Sequence, residues 1–195
     1  MTRRIDDMKI EFRKTSARTY AIKILRDGAA PLEMDPAPGY DDAMPHDLLH
    51  LVVEVELGLH LGVFGQVAAG GTAQTFHERD RTGRRRREAS RERRKLARRG
   101  DKLAKAGRDE AALSERATFL CLNAWLARSR EPELRARASR LTDEVAHVDA
   151  VQTSDDSRAL TPQAMNRICA RLDELSARWR QLGIGESLAV DWSSR

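Results

Sequence analysis

The sequence predicts an α+β domain, mostly helical, in which a small antiparallel sheet packs against helices and a basic helical arm stands apart. Three observations predict it. Segments near both ends alternate apolar and polar residues, the period of strands with one buried face. The long middle carries apolar residues at helical spacing, with proline and glycine at the breaks. One stretch, residues 81–105, is too charged to be core. With 195 residues, 41% of them hydrophobic, such a chain buries roughly 70% of its unfolded surface, enough for a core. Residues 1–75 and 106–195 read as one α+β domain, and 76–105 as a charged arm or exposed helix.

Residues 8–12 alternate with Ile10 and Phe12 on one face, and residues 19–25 with Tyr20, Ile22 and Ile24. The intervening RKTSAR supplies a turn, so the pair reads as a hairpin closed by Asp27 and Gly28. Residues 31–35 offer a short third strand, and the Pro, Gly and Asp content of 35–45 marks a loop. Pro45 suits the first position of a helix and Gly58 the residue just past its end. Residues 62–71 read as a short small-residue helix or turn ended by a glycine pair. Residues 109–129 read as a core helix carrying Leu113, Phe119, Leu120, Leu122, Trp125 and Leu126, with Phe119, Leu122 and Trp125 expected to be largely buried. Residues 131–150 form a second amphipathic helix. Thr161 and Pro162 are a good N-cap and first position for a helix running to Leu182. Residues 186–192 alternate again, with Leu188, Val190 and Trp192 returning to the N-terminal sheet.

No run approaches the ~20 apolar residues of a membrane span, and the first residues lack the apolar core of a signal peptide. The expectation is a cytoplasmic protein. Arginine outnumbers lysine 29 to 6, which suggests a bacterial genome rich in G and C. Two cysteines are too few for a disulfide framework, and Cys121 and Cys169 both sit among apolar helical residues as inert thiols.

The stretch PHDLLHLVVE asks whether a site is present. A helix turns about 100° per residue, so His46, His50, Glu54 and Asp47 share one narrow polar wedge. Leu48, Leu49, Leu51, Val52, Val53 and Val55 fill the rest of the circumference. Histidines four apart bring two imidazoles to one side of a helix, as helical zinc sites do. In HExxH a glutamate base follows the first histidine. Asp47 stands there, one methylene shorter, so the metalloprotease pattern fails at its base. His46 and Glu54 lie about 12 Å apart along the axis. One metal therefore takes the His46/His50 pair or the His50/Glu54 pair, with further ligands from His60, His77, His147, Asp41 or Asp42. Zinc or another divalent transition metal would be the cofactor. The bland reading makes Asp47 a complement to the helix dipole, the histidines hydrogen-bonded structural residues and Glu54 solvated. A polar partner surface is the third reading.

The segment PAPGYDDAMPHDLLHLVVEVELGL followed by FGQVAAGG resembles a group of uncharacterised bacterial proteins, over roughly residues 8–75. No activity is attached to that group, so the resemblance transfers no functional residue. Within it, residues 65–72 mimic a phosphate loop, but Gly71 occupies the lysine position and no strand precedes. Close backbone packing accounts for these glycines better.

Residues 81–105, opening on Arg81 and closing on Lys105, hold 13 Lys and Arg against Glu88, Glu92 and Asp101, a net charge of +10. The whole chain is +5, so the rest sums to −5. Such a segment is an exposed helix or a solvated arm. Arginine clusters attract phosphate, which makes Arg84, Arg85, Arg86, Arg87, Arg91, Arg93, Arg94, Lys95, Arg98 and Arg99 candidate contacts to DNA or RNA, or to an acidic protein surface. No aromatic residue lies between Arg79 and Lys105, which argues against base stacking.

Three function classes follow. The favoured one is a non-catalytic binding module touching nucleic-acid phosphates through residues 81–105. The alternatives are a metal-binding protein or metal-dependent hydrolase using His46 and His50, and a protein-interaction component with neither activity. No nucleophile motif such as GxSxG is present, and the sequence does not decide whether the chain is an enzyme.

Overall fold

The computed structural model describes residues 8–78, 86–145 and 158–192. In it the alternating segments from both ends of the chain meet in one antiparallel sheet. Strands β1 (Met8–Lys14) and β2 (Tyr20–Arg26) form the hairpin, with Ile10 opposite Ile24 and Phe12 opposite Ile22. Strand β3 (Leu32–Ala37) pairs with β2, running two residues further than Asp35, where the sequence reads as loop. Strand β4 (His77–Glu78) adds to β3, and β5 (Ser187–Trp192) pairs with β1, placing Leu188 opposite Phe12. The order is β4-β3-β2-β1-β5. Nothing in the sequence announces β4, because two residues are too short to show a period.

The alternation sets the two faces. Ile10, Phe12, Tyr20, Ile22, Ile24, Leu32, Leu188, Val190 and Trp192 are all buried, each large side chain contributing roughly 1.5–3 kcal/mol by leaving water. Lys9, Glu11, Arg13 and Lys23 occupy the opposite, wet face.

The helices are α1 (His46–Leu57), α2 (Val63–Ala68), α3 (Arg86–Ala106), α4 (Arg108–Arg128), α5 (Pro132–Val145) and α6 (Pro162–Gln181). Pro45 is the N-cap of α1 rather than its first residue, and Gly58, at φ 67°, takes the left-handed conformation that ends it. The Thr161 hydroxyl accepts from the Ala164 amide at 3.2 Å, a cap worth about 1 kcal/mol. Helix α1 packs against α4, α6 and α2. The helices reach the sheet through aromatic side chains: Phe64 of α2 meets Phe12, and Trp179 of α6 meets Tyr20 edge-on at 6.0 Å.

Helix α4 departs from its reading. Trp125 and Leu126 are buried as expected, Leu113 and Leu122 pack half-buried against the core, and Phe119 and Leu120 are half-buried as well. The buried stripe is Ser114, Ala117, Thr118, Cys121, Trp125 and Leu126. Toward His50 and Glu54 of α1, α4 presents the small polar side chains of Ser114 and Thr118. Cys121 and Cys169 are buried free thiols, and burial pushes Cys121 up to about 12. No helix among the described residues is long and apolar enough to cross a membrane.

Candidate functional site

The polar wedge of α1 does not face water. Glu54 is fully buried, which corrects the expectation of a solvated carboxylate. Its Oε1 accepts from the Val63 amide at 2.6 Å and the Ser114 hydroxyl at 2.9 Å. Its Oε2 accepts from the Phe64 and Gly65 amides at 2.9 and 3.2 Å. Glu54 thus satisfies the orphan amides at the start of α2, its two carboxyl oxygens set at the positive end of the helix dipole. The other end is matched: Arg26 donates to the carbonyls of Val67 and Gly71, and Arg99 donates to that of Ala69 at 2.6 Å.

This explains the glycines. A Cβ on Gly62 would lie 2.4 Å from the Glu54 carboxyl, and one on Gly65 would lie 2.4 Å from the His60 carbonyl carbon. Only bare backbone lets the carboxylate and the loop come so close. Of the amides that a phosphate loop over residues 65–72 would offer, Gly65 is held by Glu54, and Gln66, Ala69, Gly70 and Gly71 donate to backbone carbonyls of the same loop and helix.

Asp47 receives a hydrogen bond from the Tyr20 hydroxyl. Burial raises Asp47 above the usual carboxylate range, with the Tyr20 bond and the His46 charge pulling the other way. Burial, and secondarily the Asp47 charge, raise Tyr20 above the usual phenol range. The pair ties the first turn of α1 to the sheet.

His50, only 3% exposed, points at α4. Its Nδ1 lies 3.1 Å from the Ser114 Oγ and 3.2 Å from the Thr118 Oγ1, and its Nε2 lies 3.5 Å from a Glu115 carboxylate oxygen. His46 is exposed beside it, the two ring centres 4.6 Å apart. The ligand atoms of His46, His50 and Glu115 all lie within 4.8 Å of one another. Burial, and then the neighbouring His46 charge, push His50 down to about 4.

Of the further ligands considered, His147 lies outside the described residues. Asp41 is engaged by Arg137 and by the Ala43 and Met44 amides, and Asp42 accepts from Tyr40. His60 and His77 are not in the cluster. Glu115 and its neighbours Ser114 and Thr118 were missed. SERAT sets the polar Ser114 and Thr118 one turn apart, the complement of a polar wedge, while nothing in the spacing singles out Glu115.

Burial pushes Glu54 up to about 7, against the four donors that pull it down. The native state therefore holds this proton more tightly than the unfolded chain does. The contribution of Glu54 to stability is complete below about pH 4.5 and is lost as pH rises through about 7. The change is on the order of 3 kcal/mol. It should appear as a shrinking stability advantage over Glu54→Gln between about pH 5 and pH 8 in urea unfolding. The His50 contribution changes in the opposite sense and is common to both proteins, so it cancels. A gap that stays constant with pH would refute the shift.

The second candidate surface is α3. Arg84 and Arg85 lie outside the described residues, and Arg86, Arg87 and Arg93 lie on the helix backbone. Arg91, Arg94, Lys95, Arg98, Arg99 and Lys102 are exposed and line a groove of about 560 Å³. Helical periodicity gathers these six into an arc of about 140°. On the other side of the helix Gly100 is buried and the Leu103 side chain approaches Gly71. No protein-family model, curated protein or solved structure matches this chain.

Proposed function

We propose that the protein is a non-catalytic module that binds the phosphates of duplex nucleic acid through the cationic face of α3. The observation that carries the reading is the concentration of six exposed cations on one face of one helix. From Arg91 to Lys102 that face runs roughly 16 Å, a length over which a duplex presents about ten phosphate charges. The described inner side of α3 is held against α2 and its following loop, so the cations are presented on a positioned element rather than a solvated coil. Phosphate contact requires no base readout, which suits a face without aromatic side chains.

Arg99 already donates to the Ala69 carbonyl, leaving about five cations for phosphate. Affinity for a 20-base-pair duplex should then fall with salt at a log–log slope of roughly −4 and depend little on sequence. Replacing Arg91, Arg94 and Arg98 together with alanine should weaken binding uniformly and flatten the slope by about three. Fluorescence anisotropy with labelled DNA and RNA duplexes across a salt series reads both quantities. Absence of binding at low salt, or a slope unchanged in the triple variant, rejects the reading, and binding only to an acidic protein would replace it.

A further inference from the structure

We propose that His46, His50 and Glu115 form a three-ligand site for a divalent transition metal of the zinc class, with a fourth position open to solvent. The first support is the hydrogen-bond pattern behind His50. With the Ser114 hydroxyl proton directed to Glu54 at 2.9 Å, the Ser114 oxygen offers His50 Nδ1 an acceptor at 3.1 Å and the Thr118 Oγ1 a second at 3.2 Å, a setting that accommodates the Nδ1–H tautomer. The Nε2 lone pair then faces the Glu115 carboxylate at 3.5 Å. Two acceptors aimed at one another repel unless a cation lies between them. A histidine whose rear nitrogen donates to a fixed oxygen is the arrangement that orients imidazole ligands at metal centres.

Distance is the second support. Ligands about 2.1 Å from a tetrahedral metal stand roughly 3.4 Å from one another. His50 and Glu115 are already at that separation. The cluster as a whole lies within 4.8 Å, so closing it takes movements of about 1 Å. His46 and Glu115 are both exposed side chains free to make them, while buried His50 is the fixed member. Two imidazoles and one carboxylate favour zinc, cobalt or nickel over magnesium and calcium, which take oxygen ligands. Glu54 is not a ligand. It lies behind Ser114 and fixes which way that hydroxyl points.

The test is titration of tag-free, chelator-treated protein with Co(II) and Zn(II) alone, at about pH 8, because an imidazole ligates metal only in its deprotonated, neutral form. One equivalent should bind, with the Co(II) visible spectrum of a low-coordinate nitrogen and oxygen site. Single substitutions His46→Ala and Glu115→Ala, both at exposed positions that leave the core intact, should each lower affinity by more than about 100-fold, since loss of outer partners alone costs 10–100-fold. His60→Ala should change nothing. Circular dichroism and thermal unfolding confirm that each variant is folded. Stoichiometry below about a tenth of an equivalent, or tight binding that survives either substitution, overturns the site.

Discussion

Glu54→Ala is expected to cost on the order of 4 kcal/mol of folding stability, a large share of the roughly 5–15 kcal/mol that holds a domain together. The substitution removes the acceptor for the Val63, Phe64 and Gly65 amides and for the Ser114 hydroxyl. Each of these groups is then left without a partner in a buried setting, at about 1–3 kcal/mol apiece before relaxation. A cavity forms between α1, α2 and α4, and water entering it recovers part of the loss, so the costs do not simply add. Glu54→Gln keeps the volume but turns an amide group toward backbone donors, and should cost about half as much. Gly62→Ala should mimic the alanine variant from the other side, because its Cβ would lie 2.4 Å from the carboxyl. Urea unfolding of the three variants gives the comparison. Losses below about 1 kcal/mol for Glu54→Ala would show that α2 does not depend on this cap.

Trp179→Ala should be of comparable size, about 3–5 kcal/mol, from lost burial and a cavity that rigid neighbours cannot fill. Trp179 is fully buried. Its ring packs against Tyr20 at 6.0 Å and Tyr40 at 6.3 Å, the Lys14 ammonium stands 5.0 Å from its centre, and its Nε1–H donates to the Asp41 carbonyl at 3.0 Å. One side chain thus joins α6 to the hairpin and to the loop that delivers α1. Trp179→Phe keeps most of the packing and loses the hydrogen bond, so it should cost about 1–2 kcal/mol. Thermal and urea unfolding distinguish the two. If alanine costs no more than phenylalanine, the packing argument is wrong and only the indole N–H matters.

The sequence by itself determined the class and most of the elements. Alternation in residues 8–12, 19–25 and 186–192 is a local signal, and it placed β1, β2 and β5 with the correct buried face. Thr161, Pro162 and Gly58 are equally local, because a cap acts within one turn of its own helix. The tertiary structure decided what each polar group meets. Glu54 reads as solvated because nothing near it in sequence reveals that the amides of Val63, Phe64 and Gly65 turn back onto it, or that Ser114 arrives from 60 residues away. Phe119 and Leu122 read as core because large apolar side chains usually are, yet both are only half-buried. The way α4 crosses its neighbours decides which stripe faces inward, and that stripe runs through Ser114, Ala117, Thr118, Cys121 and Trp125. The same reason put Glu115 beyond reach of any spacing rule. Its place beside His50 depends on the crossing of two helices, which is fixed by the packing of the whole core and written in no single segment of the chain.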